Sequence, residues 1–395
     1  MISVFHNQDK IRINKLISMN LLHGLLVIYL GAIGMIGAKA PKCTTPSVGT
    51  GTCKLVKECQ PIIDFIRKSS PLSTADVQII RSSYQCIVDN SARVCCPDSK
   101  FVIPSSKNPN NVSPPDVTNH RNIGLLPMKC GSASSDRILF GNKTSLFEYP
   151  WMALLNYRLR RSGTGFRCGG TVINDWYILT AAHCVVSHLQ LIGVRIGEHT
   201  LNTNPDCEER FGERHCADPV QDLEIAEVIP HPKFDSKTFA NDIGLIRLAN
   251  RINITVDSVK PICLPTTEAL RNTNFENVNL TVSGWGITEK DRRSLDLLQA
   301  NVPVVSEEQC RKAYQKSQAI VTRRHICAGG INGGDSCNGD SGGPVKMITY
   351  HNADARFVQY GIVSFGPRFC GQGGFPGVYT RVDYYMDWIL DNMKP

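Results

Sequence analysis

Sixteen cysteines in a chain of 395 residues constrain the fold before any periodicity is counted. Six of them, Cys43, Cys53, Cys59, Cys86, Cys95 and Cys96, crowd into a segment too short to stabilise itself by burying a core, so covalent cross-links must supply what packing cannot. An even count leaves no cysteine over, but six allow fifteen connectivities and sequence alone does not choose among them. Zinc is the competing use of clustered cysteines. It is disfavoured because no Cys-x-x-Cys pair occurs anywhere, and the adjacent Cys95-Cys96 cannot supply the usual ligand spacing.

Disulfides on this scale require an oxidising compartment. Lys10, Arg12 and Lys15 precede an apolar run from Leu21 to Ala38, and small residues follow at Gly37, Ala38 and Ala40. This reads as a secretory signal over 1–40, cleaved between Ala38 and Cys43. The alternative is an uncleaved membrane anchor, since the run approaches the length that spans a bilayer, and Met19 offers a second start. Hydrophobic residues make up 42% of the chain, enough for a large core and more than one domain. The net charge of +8 comes without a Lys/Arg block or an aromatic-interleaved basic stretch, which argues against nucleic-acid binding.

From Asp98 to about Met128 the chain turns rich in Pro, Ser and Asn without periodicity and reads as a linker. Beyond it, short β-rich runs such as Arg167 to Ile173, Asn279 to Trp285 and Tyr360 to Phe365 are broken by Gly, Pro and Asn turns, the pattern of an all-β barrel or sandwich. One helical stretch, about Asp383 to Asn392, sets Tyr384, Trp388 and Ile389 on one face.

The chemistry concentrates in Asp335-Ser336-Cys337-Asn338-Gly339-Asp340-Ser341, followed by Gly342-Gly343-Pro344. A serine hydroxyl is a poor nucleophile until a histidine and a carboxylate activate it. His183 follows the apolar approach Trp176-Tyr177-Ile178, in Thr180-Ala181-Ala182-His183-Cys184, and Asp242 heads the apolar run Ile243 to Leu248. Each alone could be an ordinary turn or core residue. In the order His, Asp, Ser, with these flanks, they resemble the chymotrypsin/trypsin family rather than the subtilisin or α/β-hydrolase arrangements. The spacing of the first six cysteines, ending in Cys95-Cys96-Pro97, resembles the clip domain of arthropod serine proteases.

The resemblance implies a chymotrypsin-like double β-barrel over 138–395 with a C-terminal helix on the second barrel, a clip domain over 43–96, and a linker and activation segment over 97–137. It implies His183, Asp242 and Ser341 as the catalytic triad and the amides of Gly339 and Ser341 as the oxyanion hole. Asp335 would sit at the base of the primary pocket and select Arg, less strongly Lys, with Gly366 and Gly377 in the pocket wall and Ser364 on the strand that pairs with substrate. Phe365 stands where Trp is commoner. Arg137-Ile138 matches an activation junction: cleavage would free the Ile138 ammonium to pair with Asp340, making the chain a zymogen. Phe140 departs from the glycine often found there.

The implied disulfides are Cys43–Cys95, Cys53–Cys86, Cys59–Cys96, Cys130–Cys263, Cys168–Cys184, Cys310–Cys327 and Cys337–Cys370, and the two remaining cysteines, Cys207 and Cys216, are close enough for a local staple. Glu198, Thr200, Thr203 and Asp206 fall where family members bind calcium, the one cofactor implied. Sequons at Asn111, Asn142, Asn253 and Asn279 are available for glycosylation. Proteins of this kind act in arthropod haemolymph, in melanisation through prophenoloxidase activation or in processing the ligand for Toll signalling, immune or developmental. An upstream protease, a serpin and a protein substrate are the partners implied. The alternatives are a non-catalytic clip adaptor, usually marked by loss of the serine, and a membrane-anchored protease.

Overall fold

The chain divides into two units, Met1–Pro109 and Asn110–Pro395. In the computed structural model the described residues are 41–45, 49–68, 86–88, 91–97, 113–132, 143–159, 163–210, 212–287, 293–330, 337, 339–351, 354–367 and 373–395. Residues 1–40, read from sequence as a secretory signal, lie outside them, as do Asn111, Arg137, Ile138, Asn142, Asp335, Cys370 and the side chain of Cys86.

In the first unit β1 (Lys42–Thr45), β2 (Gly49–Lys54), β3 (Cys86–Val88) and β4 (Ser91–Pro97) form one antiparallel sheet in the order β1-β2-β4-β3, accompanied by α1 (Gln60–Lys68). Among the described residues its buried clusters are Cys59, Ile62, Val94 and Cys96, with Val56 against them, and Cys53 and Cys95, with Cys43 against them. That is too little apolar surface to offset the chain entropy of ordering. Cys43–Cys95 and Cys59–Cys96 span 52 and 37 residues, and closing loops of this length stabilises by about 4 kcal/mol each in the chain-entropy picture. Cys53 is also disulfide-bonded.

The second unit opens with β5 (Met152–Arg158), β6 (Thr164–Val172), β7 (Tyr177–Thr180), the one-turn α2 (Ala182–Val185) and β8 (Leu191–Ile196). A stapled hairpin of β9 (Cys207–Arg210) and β10 (Glu213–Cys216) follows, then β11 (Gln221–Leu223), β12 (Ile225–Pro230) and β13 (Gly244–Leu248). Seven of these strands pair in the order β11-β8-β5-β6-β7-β13-β12. The two end strands of that sheet are consecutive in the chain, separated only by Glu224, so the sheet curls shut around Trp151, Leu155, Tyr177, Ile178 and Leu179.

After α3 (Glu268–Arg271) come β14 (Asn279–Gly284), β15 (Leu298–Val305), α4 (Glu307–Tyr314), β16 (His325–Ala328), β17 (Pro344–His351), β18 (Asp354–Phe365) and β19 (Gly377–Arg381). These six strands close a second barrel, β14-β15-β16-β19-β18-β17, around Leu280, Val302, Val345, Val358 and Tyr379. Ser306 starts α4 through a capping box with Gln309.

Two features differ from the sequence reading. The terminal helix begins as a 3-10 turn, Val382–Tyr385, and continues as α5 (Met386–Asn392). Its opening turn stays with the second barrel, Tyr384 and Tyr385 lying under the Arg324 guanidinium, but α5 reaches the first: Met386, Ile389 and Leu390 join the core cluster that holds Tyr177 and Leu248, Trp388 lies 5.2 Å from the His231 ring, and Lys394 N–H donates to Tyr177 Oη at 2.8 Å. The apolar stripe was legible, but which barrel offers the complementary surface depends on tertiary packing.

The second difference is residues 113–132, which pack on the peptidase unit. Val117 is 1% exposed within the first core, with Ile123, Leu125 and Leu126 packed against it. The Asn122 amide donates to the carbonyls of Leu390 and Met393, and Arg271 holds Asp116 at 2.6 Å. Scattered apolar residues give no period, yet they join one core cluster, and Cys130–Cys263 ties the end of the segment. Val117→Ala is expected to lower the unfolding free energy by about 2 kcal/mol in a denaturant titration, from two buried methyl groups plus the cavity they leave. A free linker would show no change.

Asn253 and Asn279 are both exposed. Among the described residues no helix is long and apolar enough to cross a membrane.

Candidate active site

The register of two strands brings Asp242 to His183. Gly244 at the start of β13 pairs antiparallel with Thr180 at the end of β7, so two steps outward along each chain set Asp242 opposite Ala182. The one-turn α2 then presents the next residue, His183. Asp242 Oδ2 lies 2.8 Å from His183 Nδ1, and its Oδ1 accepts the backbone N–H of His183 at 2.9 Å. Ser364 Oγ donates to Oδ2 at 2.5 Å, and Thr380 Oγ1 donates to the Asp242 carbonyl at 2.7 Å. Asp242 is fully buried. Burial alone would push its pKa up, but the adjacent imidazole and these hydrogen bonds outweigh it and hold the carboxyl below its ordinary value.

The loop carrying Ser341 is pinned to the first barrel by backbone. Gly169 N–H on β6 donates to Ser341 O at 2.8 Å, and Cys168–Cys184 ties the same strand to the residue after His183. Gly342 adopts φ +80°, and a Cβ there would fall 2.2 Å from Thr180 Oγ1 and 2.5 Å from Gly169 O, so only glycine lets the loop approach so closely. Among the described residues Ser341 Oγ has no hydrogen bond to His183; in substrate-free enzymes such bonds are often long and tighten on binding. The amides of Gly339 and Ser341 donate to no acceptor among the described residues.

Asp340 turns its carboxylate away from the nucleophile. Its Oδ1 accepts Gly286 N–H at 2.8 Å and its Oδ2 accepts Cys337 N–H at 2.9 Å. Burial pushes this carboxyl up, opposed by the two amides and the Arg293 charge.

The remaining site residues separate into two places. Among the described residues a Cβ built on Gly366 would meet only Gly377 Cα, at 3.9 Å, an ordinary contact distance. Ser364, read from sequence as part of a substrate strand, spends its hydroxyl on Asp242. Phe365 stacks at 5.1 Å on Phe239, which in turn stands edge-on to His183 at 6.0 Å. Neither Ser364 nor Phe239 carries a local signal of this role; only strand register reveals it.

Farther off, Glu198 and Asp206 come together in a buried loop. Asp206 accepts the amides of His199 and Thr200 at 2.8 and 3.0 Å, and the Thr203 hydroxyl donates to it. Thr200 instead donates its hydroxyl to Asp296 at 2.8 Å. Glu198 is pushed up to about 7 by burial and by Asp206, with Arg195 opposing, and among the described residues its buried Oε1 finds no donor. Two close carboxylates, one with an orphaned oxygen, fit an oxygen-seeking cation.

A model described as trypsin matches residues 138–389, and one described as the regulatory CLIP domain of proteinases matches residues 43–96. The chain belongs to the trypsin family. Among relatives of this trypsin-family chain, Melanization protease 1 of Drosophila melanogaster is 37% identical over 374 residues, covering 89% of this chain and 93% of its own. Phenoloxidase-activating factor 3 of Holotrichia diomphalia is 38% identical over 358 residues, covering 89% and 93%. The crystal structure of the Drosophila Grass clip serine protease of the Toll pathway aligns with TM-score 0.62 at 33% identity, over 90% of this chain and 98% of that one. The peptidase is therefore a trypsin-like double barrel preceded by a clip domain, and the relatives named above are a melanization protease, a phenoloxidase-activating factor and a clip serine protease of the Toll pathway.

Proposed function

We propose that this chain is the secreted zymogen of an endopeptidase that cleaves after Arg, less strongly Lys, and is itself switched on by cleavage after Arg137. The observation that carries this reading is the buried Asp242 carboxylate gripping both the ring and the backbone of His183. In that geometry Nδ1–H is fixed on Asp242, which leaves Nε2 as the basic nitrogen facing the cleft.

Ser341 Oγ attacks the peptide carbonyl as His183 Nε2 takes its proton, then returns it to the leaving amine, and Asp242 stabilises the imidazolium between those steps. The unpaired amides of Gly339 and Ser341 serve the oxyanion, where each donor is worth about 10² to 10³ in rate. Asp335, outside the described residues, supplies the carboxylate that a guanidinium would meet, and Gly366 and Gly377 leave room for a long side chain to reach it.

Its class of substrate is protein in an extracellular cascade of innate immunity, melanisation or Toll activation: a downstream zymogen such as prophenoloxidase, or a Toll-ligand precursor. The names of the relatives, a melanization protease and a phenoloxidase-activating factor, support this placement. The clip domain docks partners, an upstream protease cuts Arg137, and a serpin ends activity. The deciding experiment cleaves the purified chain at Arg137 and offers Arg, Lys and Phe chromogenic amides. Activity should appear only after cleavage, favour Arg, vanish in Ser341→Ala and lose its Arg preference in Asp335→Ser. A folded, cleaved chain inert on all three amides would refute the enzyme reading.

Glu198 and Asp206 would hold calcium, with carbonyl oxygens of Thr200 and Thr203 beside them. The ion supplies charge neutralisation in that loop and takes no part in bond cleavage. At free calcium a hundredfold above Kd, linkage predicts about 2.7 kcal/mol of added stability. Differential scanning calorimetry with and without chelator should show the rise, and Glu198→Gln should remove it.

A further inference from the structure

The loop of Glu198 and Asp206 is served by a residue that the calcium reading leaves unused. Arg195 lies on β8 directly across from Asp222 on β11. Its Nε and Nη2 donate to the two oxygens of Asp222 at 2.8 and 2.7 Å, a bidentate grip that fixes the guanidinium plane. The Phe166 ring covers the guanidinium at 5.3 Å. Nη1 remains, and it donates to Glu198 Oε2 at 3.3 Å. One oxygen of Glu198 is thus anchored, while Oε1 is buried and finds no donor among the described residues, with the Asp206 carboxyl beside the group. The Glu198 side chain is 1% exposed, so water is a poor substitute.

We propose that Arg195, locked by Asp222, is a positioning residue that aims Glu198 Oε1 at calcium; the inference rests on the calcium reading above. A bare cation beside a metal ligand would repel the metal. Here Asp222 neutralises Arg195, so the pair orients the carboxylate without adding net positive charge to the site. Partners of this kind behind a ligating group typically govern 10- to 100-fold of metal affinity.

The test uses the full chain carrying Ser341→Ala to prevent self-digestion, with calcium titrated calorimetrically and the melting temperature recorded in chelator. Arg195→Met and Asp222→Asn are each expected to weaken calcium binding 10- to 100-fold. Asp222 is 59% exposed on its side chain, so its amide variant keeps the fold even if Arg195→Met does not. A purely structural role would lower the melting temperature in chelator and leave calcium affinity within twofold of the parent, and that result overturns the proposal. Tighter binding in either variant would make Arg195 a competitor of the metal and equally overturn it. A parent chain that takes up no calcium removes the calcium reading itself, and this inference with it.

Discussion

Asp242→Asn is expected to lower kcat on an Arg amide by about 10⁴ with little change in KM, the magnitude found for the corresponding change in the template enzyme of this family. Both carboxylate oxygens of Asp242 accept hydrogen bonds here, Oδ1 from the His183 amide and Oδ2 from the imidazole and from Ser364. An amide side chain must turn its NH₂ toward one of those donors. If it faces Nδ1, the imidazole flips to the tautomer that carries its proton on Nε2 and can no longer accept one from Ser341. If it faces the backbone, a buried donor loses its partner, which costs about 1 to 3 kcal/mol. Steady-state kinetics on the cleaved variant, with near-UV circular dichroism to establish the fold, distinguishes the outcomes. A loss below tenfold would reduce the Asp242–His183 contact to a structural role.

Asp340→Asn is expected to leave the uncleaved chain inactive, as it is in the proposed zymogen, and to cripple the cleaved one, with kcat/KM down by about 10² to 10⁴. Under the proposed activation, cleavage at Arg137 would release an ammonium at Ile138 whose partner would be the Asp340 carboxylate. A buried ion pair missing one partner costs roughly 3 to 5 kcal/mol, which converts to that range at 1.36 kcal/mol per tenfold. The carboxylate now rests on the amides of Gly286 and Cys337 with Arg293 nearby, a set of donors that an asparagine cannot satisfy with its NH₂. Chemical labelling of the Ile138 amine adds an independent readout: protected in the cleaved parent, reactive in the variant. Equal activity of the two cleaved proteins would mean that Asp340 does not receive the new terminus.

Much of this was legible before any coordinates. Strand alternation and turn residues gave the β-rich peptidase, and the flanks of His183, Asp242 and Ser341 identified the family because each flank has a local reason: a buried strand, an apolar run, a glycine turn. What escaped was whatever depends on register between distant strands. Ser364 and Thr380 reach Asp242 only because β18 and β19 pass behind β13, and nothing near either residue in sequence marks that. Arg195 and Asp222 meet through a cross-strand pair of the same kind. The packing of 113–132 is hidden for another reason: Val117, Ile123 and Leu125 join the first core from a segment with no helical or strand period, so no pattern marks them.

The first barrel closes at Glu224, where one terminal strand of the sheet runs straight into the other. A sheet with open flanks displays a row of unpaired amides and carbonyls that invites strands from other molecules. Here the place where such a flank would lie is occupied by the polypeptide itself, and the second barrel is hydrogen-bonded all the way round. The zymogen proposed above would thereby carry a peptidase unit whose barrel strands offer little template for self-association while it waits uncleaved.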